Sequence, residues 1–306
     1  MAMILYEALR RNQRRTYLLM GFFALLLASV GAAVGYVMGD TRLGLGLGLI
    51  FAAFYLPFTY ATASWQVLNL AGAREVSEEE YPELHHVVEE LALAARMPKP
   101  KVYVVDDPAP NAFAVGLRPE AGAVAFTTGL LQLLDREALE GVAAHELSHL
   151  RNGDSRLMTL AIALVGVIVL LSDLGQRLLF YGGLFSGGRE ERRDRDRSGL
   201  DALLYVVAVL LLLLAPLAAV LTQFALSRNR EFQADASAVD LTRNPQGLIK
   251  ALTLLKEHHA TVKRATPATA GMYIVHPFKE GEGSFWAGLF STHPPIEERI
   301  RRLQEM

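Results

Sequence analysis

Long apolar runs are the feature that most restricts the folds open to this chain. Residues 16–38 and 43–67 contain no charged side chain, and each run is long enough to cross a bilayer as a helix. For the first run the alternative is a cleaved signal peptide, but the apolar part of such a peptide is only about 7–15 residues long. The sequence therefore predicts an N-terminal transmembrane hairpin over residues 1–68.

The charges beside these runs predict their orientation. Four arginines precede the first run, at positions 10, 11, 14 and 15. Positively charged flanks stay in the cytoplasm, so the N-terminus is expected there. The short turn at residues 39–42 then lies outside, and the chain returns to the cytoplasm near Asn69.

Two further apolar runs, at residues 157–172 and 203–226, predict a second hairpin over 157–226. The later run is long enough to span, whereas the earlier one is at the low edge of the ~17–25 residues required. Five arginines and four acids alternate between them at 189–197. Two crossings would place these arginines outside, against the positive-inside tendency, and a hairpin that dips in without spanning is the alternative. We predict two crossings, and so a mainly α membrane protein with about four transmembrane helices.

Composition limits the chemistry that the chain can use. Hydrophobic residues make up 52% of its 306 residues, and the mean hydropathy is +0.25, which is too apolar for an ordinary soluble domain. The net charge of −2 gives no basic surface for nucleic acid. The absence of cysteine excludes disulfides, Cys-ligated zinc and a thiol nucleophile. Any metal site must therefore come from His, Asp and Glu.

The stretch from Gly141 to Leu150 has the pattern H-E-x-x-H. On a helix, His145 and His149 project from one face and can hold a zinc ion together. Glu146 is about 100° round the helix, where it can act as general base in metal-assisted hydrolysis. Charged residues flank the motif, which favours an aqueous or interfacial position. The alternative is an ordinary amphipathic helix with two surface histidines.

A third ligand is expected after the fourth apolar run, because catalytic zinc sites keep three protein ligands. Glu231 is the obvious carboxylate, and Asp235, one turn later on the same face, can accept the other ring N–H of a ligand histidine. Asp154, which follows the motif helix, is a second candidate for orienting a ligand. The alternatives are ion pairs of Glu231 and Asp235 with neighbouring arginines, and a solvated helix end at Asp154.

The polar segments predict an α+β domain built from residues 69–156 and 227–306. Ser77 and Glu80 resemble a capping box that opens a helix through about Arg96. Residues 101–105, 111–115 and 122–127 are predicted strands of a small antiparallel sheet. Further helices are predicted at about 136–152, capped by Asp135, at about 245–259, and from about Pro295. The stretch 111–113 is either a strand start or an edge strand that pairs with an extended substrate, and the residues alone favour a strand start.

Four stretches together resemble the HtpX-type membrane metallopeptidases, which are relatives of the CAAX prenyl proteases among the gluzincins. They are His-Glu-Leu-Ser-His-Leu-Arg-Asn-Gly-Asp from 145, Ser-Arg-Asn-Arg-Glu-Phe-Gln-Ala-Asp from 227, Asn-Ala-Phe from 111, and Phe-Ser-Thr-His-Pro-Pro-Ile-Glu-Glu-Arg-Ile from 290. The resemblance covers nearly the whole chain, including the two N-terminal apolar runs, and the combination of motifs is very specific.

The resemblance implies a gluzincin-like zinc-peptidase domain with one zinc ion per chain. It implies metal ligation by His145, His149 and Glu231, with Glu146 as base. It also favours the edge-strand role for Asn111, Ala112 and Phe113. Because His293 belongs to the C-terminal signature, it is our choice for an oxyanion donor; a helix N-terminal contact is its alternative.

The resemblance further implies a cytoplasmic active site in a cell inner membrane and a role in quality control. The expected substrates are polypeptides, chiefly damaged or misfolded membrane proteins, and the lipid bilayer is the other partner. Processing of prenylated C-terminal peptides is the nearest competing activity, but that branch has more membrane helices around a large chamber. A protease acting within the bilayer, a scaffold with an unused zinc site and a transporter fit the sequence less well. The residues do not indicate an oligomeric state.

Overall fold

The structure is a computed structural model that describes residues 2–37, 39–165, 228–266, 269–278 and 294–306. The fourth apolar run, the charged loop at 189–197 and His293 lie outside the described residues, as do residues 166–172 of the third apolar run. Their predicted roles therefore stay predictions.

Two long helices, α1 (Ala2–Val37) and α2 (Thr41–Ala71), contain the first two apolar runs. Both have a stretch that is long and apolar enough to cross a membrane, Arg10–Ala32 in α1 and Thr41–Ala71 in α2. The helices approach closely at glycines, since a Cβ on Gly44 would lie 2.3 Å from the carbonyl oxygen of Gly31. The prediction of two apolar helices in this region is confirmed.

The described chain forms two compact units. The first contains the described residues of Met1–Thr16, Thr62–Ala163 and Thr222–Met306, and the second contains those of Tyr17–Ala61 and Leu164–Leu221. Every candidate functional residue that the structure describes lies in the first unit.

The first unit holds a four-stranded mixed sheet. Its strands are β1 (Ala73–Glu75), β2 (Lys101–Val105), β3 (Ala112–Val115) and β4 (Ala123–Thr127), in the order β1-β2-β4-β3. Strands β2 and β4 pair in parallel, whereas the two outer pairs are antiparallel. The predicted antiparallel sheet is therefore wrong in this respect. β3 precedes β4 in the sequence but lies at the edge of the sheet, so that β4 pairs with β2. The composition of the strands does not encode this order.

Seven α-helices follow α2 in the described residues. They are α3 (Pro82–Ala95), α4 (Thr128–Leu133), α5 (Arg136–Arg151), α6 (residues 154–165), α7 (Arg228–Thr242), α8 (Pro245–Glu257) and α9 (Ile296–Gln304). The start predicted for α3 is wrong by four residues, because a helix capped by Ser77 would begin at residue 78. Ser77 opens a turn in which its carbonyl oxygen accepts the N–H of Tyr81 at 3.1 Å. The helix begins at Pro82, which lacks the N–H that a first-turn residue leaves unpaired.

Helix α5 lies at the centre of this unit, where it packs on α3, α7 and α8. Its N-terminus is capped as predicted, because Asp135 Oδ1 accepts the N–H of Ala138 at 3.1 Å. The crossing with α8 has no room for side chains, since a Cβ on Gly141 would lie 2.5 Å from the backbone nitrogen of Leu248. This close crossing positions the motif one turn further along α5.

Candidate metal centre

The two histidines of α5 lie side by side in the interior. Their Nε2 atoms are 3.2 Å apart, and their rings meet edge to face. Two nitrogens that bind zinc tetrahedrally at about 2.0–2.1 Å are separated by roughly 3.3 Å. The spacing of His145 and His149 therefore fits a shared ion.

The carboxylate of Glu231, at the start of α7, completes the cluster. One oxygen is 3.7 Å from His145 Nε2 and the other is 3.7 Å from His149 Nε2. One ligand atom from each of the three residues lies within 4.8 Å of the other two. Two imidazoles and one carboxylate form a donor set that suits a divalent metal ion and leaves coordination positions open.

Asp235 lies one turn beyond Glu231 and contacts the far side of the first histidine. Its Oδ1 is 2.9 Å from His145 Nδ1, so the ring N–H on that side has an acceptor and Nε2 is directed at Glu231. Burial alone would raise the pKa of Asp235, but the charge of Arg299 and the bond to His145 outweigh it and lower that pKa to about 2. Asp235 is therefore a carboxylate at every physiological pH.

Arg299 of α9 is a site residue that sequence reasoning missed. It is 1% exposed, and it donates from Nε and Nη2 to the two carboxylate oxygens of Asp235 at 2.9 and 2.7 Å. Its Nη1 donates to the carbonyl oxygen of Ile274 at 2.7 Å. In the sequence it is one of three arginines on a short charged helix, and only its place in the C-terminal signature set it apart.

The charge on the first histidine depends on its neighbours. Burial would lower the pKa of His145, but hydrogen bonds to Asp235 and Glu231 outweigh that effect and raise it to about 9. Without a metal the ring therefore carries a proton at neutral pH. A metal ion must displace that proton, as is usual for His ligands.

Glu146 is buried beside the cluster, and both of its carboxylate oxygens lack a hydrogen-bond partner within the described structure. Burial raises its pKa, which moves a carboxylate toward the range of a general base. Glu146 lines one pocket together with His149 and Glu231. A buried carboxylate without a partner is costly, and a metal ion with its water would satisfy this one.

Asp154, the other predicted orienting residue, begins helix α6. Its Oδ2 is 3.5 Å from His149 Nδ1, and its Oδ1 accepts a hydrogen bond from Asn12 Nδ2 at 2.7 Å. Asn12 lies in α1, so the N-terminal helix reaches the metal centre before it enters its apolar run. The sequence carried no signal for this contact.

The stretch Asn111, Ala112 and Phe113 forms the start of the edge strand β3. A neighbouring segment already bonds its outer edge: the N–H of Ile274 donates to the carbonyl oxygen of Ala112 at 2.9 Å, and Asn111 Nδ2 donates to the carbonyl oxygen of Val275 at 3.0 Å. The side chain of Phe113 is buried. The backbone groups of every second residue of a strand point to the same edge, so those of Ala114, like those of Ala112, face the outer edge. Ala114 also lines the pocket with Glu146.

Residues 78–306 match the model of Peptidase family M48. The Protease HtpX homolog of Ligilactobacillus salivarius is 46% identical over 304 residues, which is 99% of this chain and all of that protein. The homolog of Streptococcus gordonii is 48% identical over 308 residues, with the same coverage. A crystal structure of S. mikatae Ste24p has a TM-score of 0.43 at 17% identity and covers 97% of this chain and 66% of that one.

Proposed function

Because the chain belongs to Peptidase family M48 and is therefore a metallopeptidase, we propose that it is a zinc endopeptidase with one ion held by His145, His149 and Glu231. The convergence of these three side chains within 4.8 Å is the observation that carries the proposal. Their nitrogen and oxygen donors suit zinc in a chain that has no cysteine.

Glu146 is the proposed general base. When bound, zinc supplies Lewis acidity that polarises a peptide carbonyl and acidifies water. Glu146 accepts a proton from the attacking water and delivers it to the nitrogen of the leaving amine. Its burial keeps the carboxylate poorly solvated and supports its action as a base. Asp235 and Arg299 hold the ring of His145 in one orientation, and Asp154 acts in the same way on His149.

The outer edge of β3 is the proposed substrate-binding strand. An extended peptide would add to it by backbone hydrogen bonds. Because the segment at 273–275 already pairs with Asn111, Ala112 and Phe113, the peptide joins the edge beyond them, at Ala114. His293 remains the proposed oxyanion donor on its place in the C-terminal signature.

The enzyme is proposed to lie in the cell inner membrane with its active site in the cytoplasm. The domains are a transmembrane hairpin at 1–68, a second hairpin at 157–226, and a peptidase domain built from 69–156 and 227–306. The arginines before the first apolar run support this orientation. Damaged or misfolded membrane proteins are the proposed substrates, in a quality-control role.

Cleavage of an unfolded protein in detergent tests the proposal, with the Glu146→Gln variant as comparison. This substitution keeps the shape of the side chain and all three proposed ligands. We expect both proteins to bind one zinc ion and only the parent chain to cut. Equal cleavage by the variant would exclude Glu146 as base. If Glu146→Gln loses zinc, its loss of activity is compared with that of His149→Gln, which lacks a ligand, to separate the effect of metal loss from the loss of a base.

A further inference from the structure

Arg230 is a buried cation that the proposed mechanism does not use. Its side chain is 4% exposed, and its Nε and Nη2 have no hydrogen-bond partner within the described structure. Burying an unpaired charge is costly, and structures normally pair it with an acid. The two acids that raise its pKa, Asp154 and Glu231, lie beside His149, with a carboxylate oxygen 3.5 and 3.7 Å from a ring nitrogen.

Arg230 lines the same pocket as Glu146, His149 and Glu231. Of the two acids that raise its pKa, Asp154 has the larger effect, but it already accepts a hydrogen bond from Asn12 at 2.7 Å. Arg230 therefore lines the cleft next to the metal centre, and its Nε and Nη2 have no acceptor among the described residues.

Two further cations strengthen the positive potential at this position. Arg11 and Arg15, one turn apart on α1, both lower the pKa of Arg230, although burial has the larger effect.

We propose that Arg230, supported by Arg11 and Arg15, forms a subsite that binds a carboxylate of the peptide substrate. The inference rests on the proposed peptidase function. A guanidinium binds carboxylate through two parallel N–H donors. The carboxylate comes from an acidic side chain near the scissile bond or from the free C-terminus of the peptide. A lipid phosphate fits less well, because the donors border the peptide cleft beside the metal ligands.

Peptide binding to the zinc-loaded Glu146→Gln protein tests the subsite without turnover. Labelled peptides are compared in pairs that differ by Glu against Gln at each position around the cleavage site, and by a free against an amidated C-terminus. We expect at least one pair to favour the carboxylate by roughly tenfold or more. The pair that does so identifies the source of the carboxylate.

Adding Arg230→Gln should remove this preference while leaving binding of the neutral peptide and the zinc content unchanged. Arg230→Lys should retain part of the preference, because it keeps the charge but loses the paired donors. Arg14→Gln is the matched control, since Arg14 is an exposed arginine of the same helix as Arg11 and Arg15 that is not among the charges acting on Arg230. It should bind like the parent.

Several outcomes would overturn the subsite. They are equal binding of every pair, no binding of any peptide, an equal loss of acidic and neutral peptides in Arg230→Gln, or loss of zinc in that variant. An Arg230-dependent site for phosphatidylglycerol without peptide discrimination would assign the arginines to lipid instead. If the parent chain cleaves protein while the pairs bind alike, the proposed function stands and the subsite fails. If discrimination depends on Arg230 but no cleavage occurs, the subsite stands and the hydrolytic function fails.

Discussion

Replacing Arg299 tests whether the buried network beyond the metal ligands holds the site together. In Arg299→Gln, Asp235 loses both of its donors from the guanidinium, at 2.9 and 2.7 Å. The carbonyl oxygen of Ile274 loses a donor at 2.7 Å. Asp235 is 2% exposed, so water cannot easily replace them.

The expected loss is large because a buried charge is left without its partner. Removing one member of a buried pair typically costs about 3–5 kcal/mol of folding free energy. For a domain of this size that corresponds to a fall of roughly 6–20 °C in the melting temperature. Zinc affinity should also fall about 10–100-fold, as for other residues that orient a ligand histidine, because Asp235 can then move away from His145.

Thermal unfolding with a chelator present and zinc competition against a chromophoric chelator measure the two effects separately. Arg301→Gln is the matched control on the same helix. Arg301 has a side chain that is 56% exposed, and its ion pairs with Glu298 and Glu305 lie at the surface. Such pairs contribute about 0–1 kcal/mol. If Arg299→Gln behaves like this control in both assays, the buried network does not support the metal centre.

Three further predictions concern His145, the crossing of α5 with α8, and the contact between Asn12 and Asp154. First, the raised pKa of His145, about 9, means that zinc binding at pH 7 should release close to one proton, which calorimetry in buffers of different ionisation enthalpy measures. Zinc affinity should rise with pH up to about 9. In the zinc-free protein the same shift stabilises the fold fully below pH 6.5, the ordinary pKa of histidine, and this stabilisation should disappear as the pH rises through 9. Second, Gly141→Ala should lower the melting temperature by an amount equivalent to about 1–3 kcal/mol, because the new Cβ would meet backbone of α8. Gly46→Ala, which has open space, should not. Third, Asn12→Leu should cost about 1–3 kcal/mol and weaken zinc binding, because it leaves the buried Asp154 without its donor at 2.7 Å. Zinc competition measures the affinity of Asn12→Leu, and Gln13→Leu, at an exposed neighbouring position, is the control.

The parts of the site that a short stretch encodes could be predicted from the sequence. The spacing of His145 and His149 requires only a helix, and Asp135 supplies the cap that begins it. Glu231 followed from the chemistry of zinc ligands in a chain without cysteine. The helical periodicity also placed Asp235 on the same face, where the structure brings it to His145 Nδ1.

Contacts between distant segments could not be predicted in this way. The parallel pairing of β2 with β4 depends on where β3 lies in the sheet, and the composition of either strand is compatible with both directions. Asn12 contacts Asp154 across 142 positions of sequence, and no local pattern marks an asparagine for that role. The false capping box at Ser77 failed because the following proline offered a better helix start.

The two arginines that the sequence did not single out show why burial and partners must be considered together. Arg299 and Arg230 both lie in charged helical stretches, where an exposed ion pair is the ordinary expectation. In the structure both are buried next to the same metal centre, but only Arg299 has a full set of acceptors within the described residues. A buried arginine with acceptors stabilises the fold and orients a ligand. A buried arginine whose donors border a cleft gains its stabilisation only when an acceptor enters, and substrate can supply one. Arginine is therefore assigned a structural role at position 299 and a recognition role at position 230.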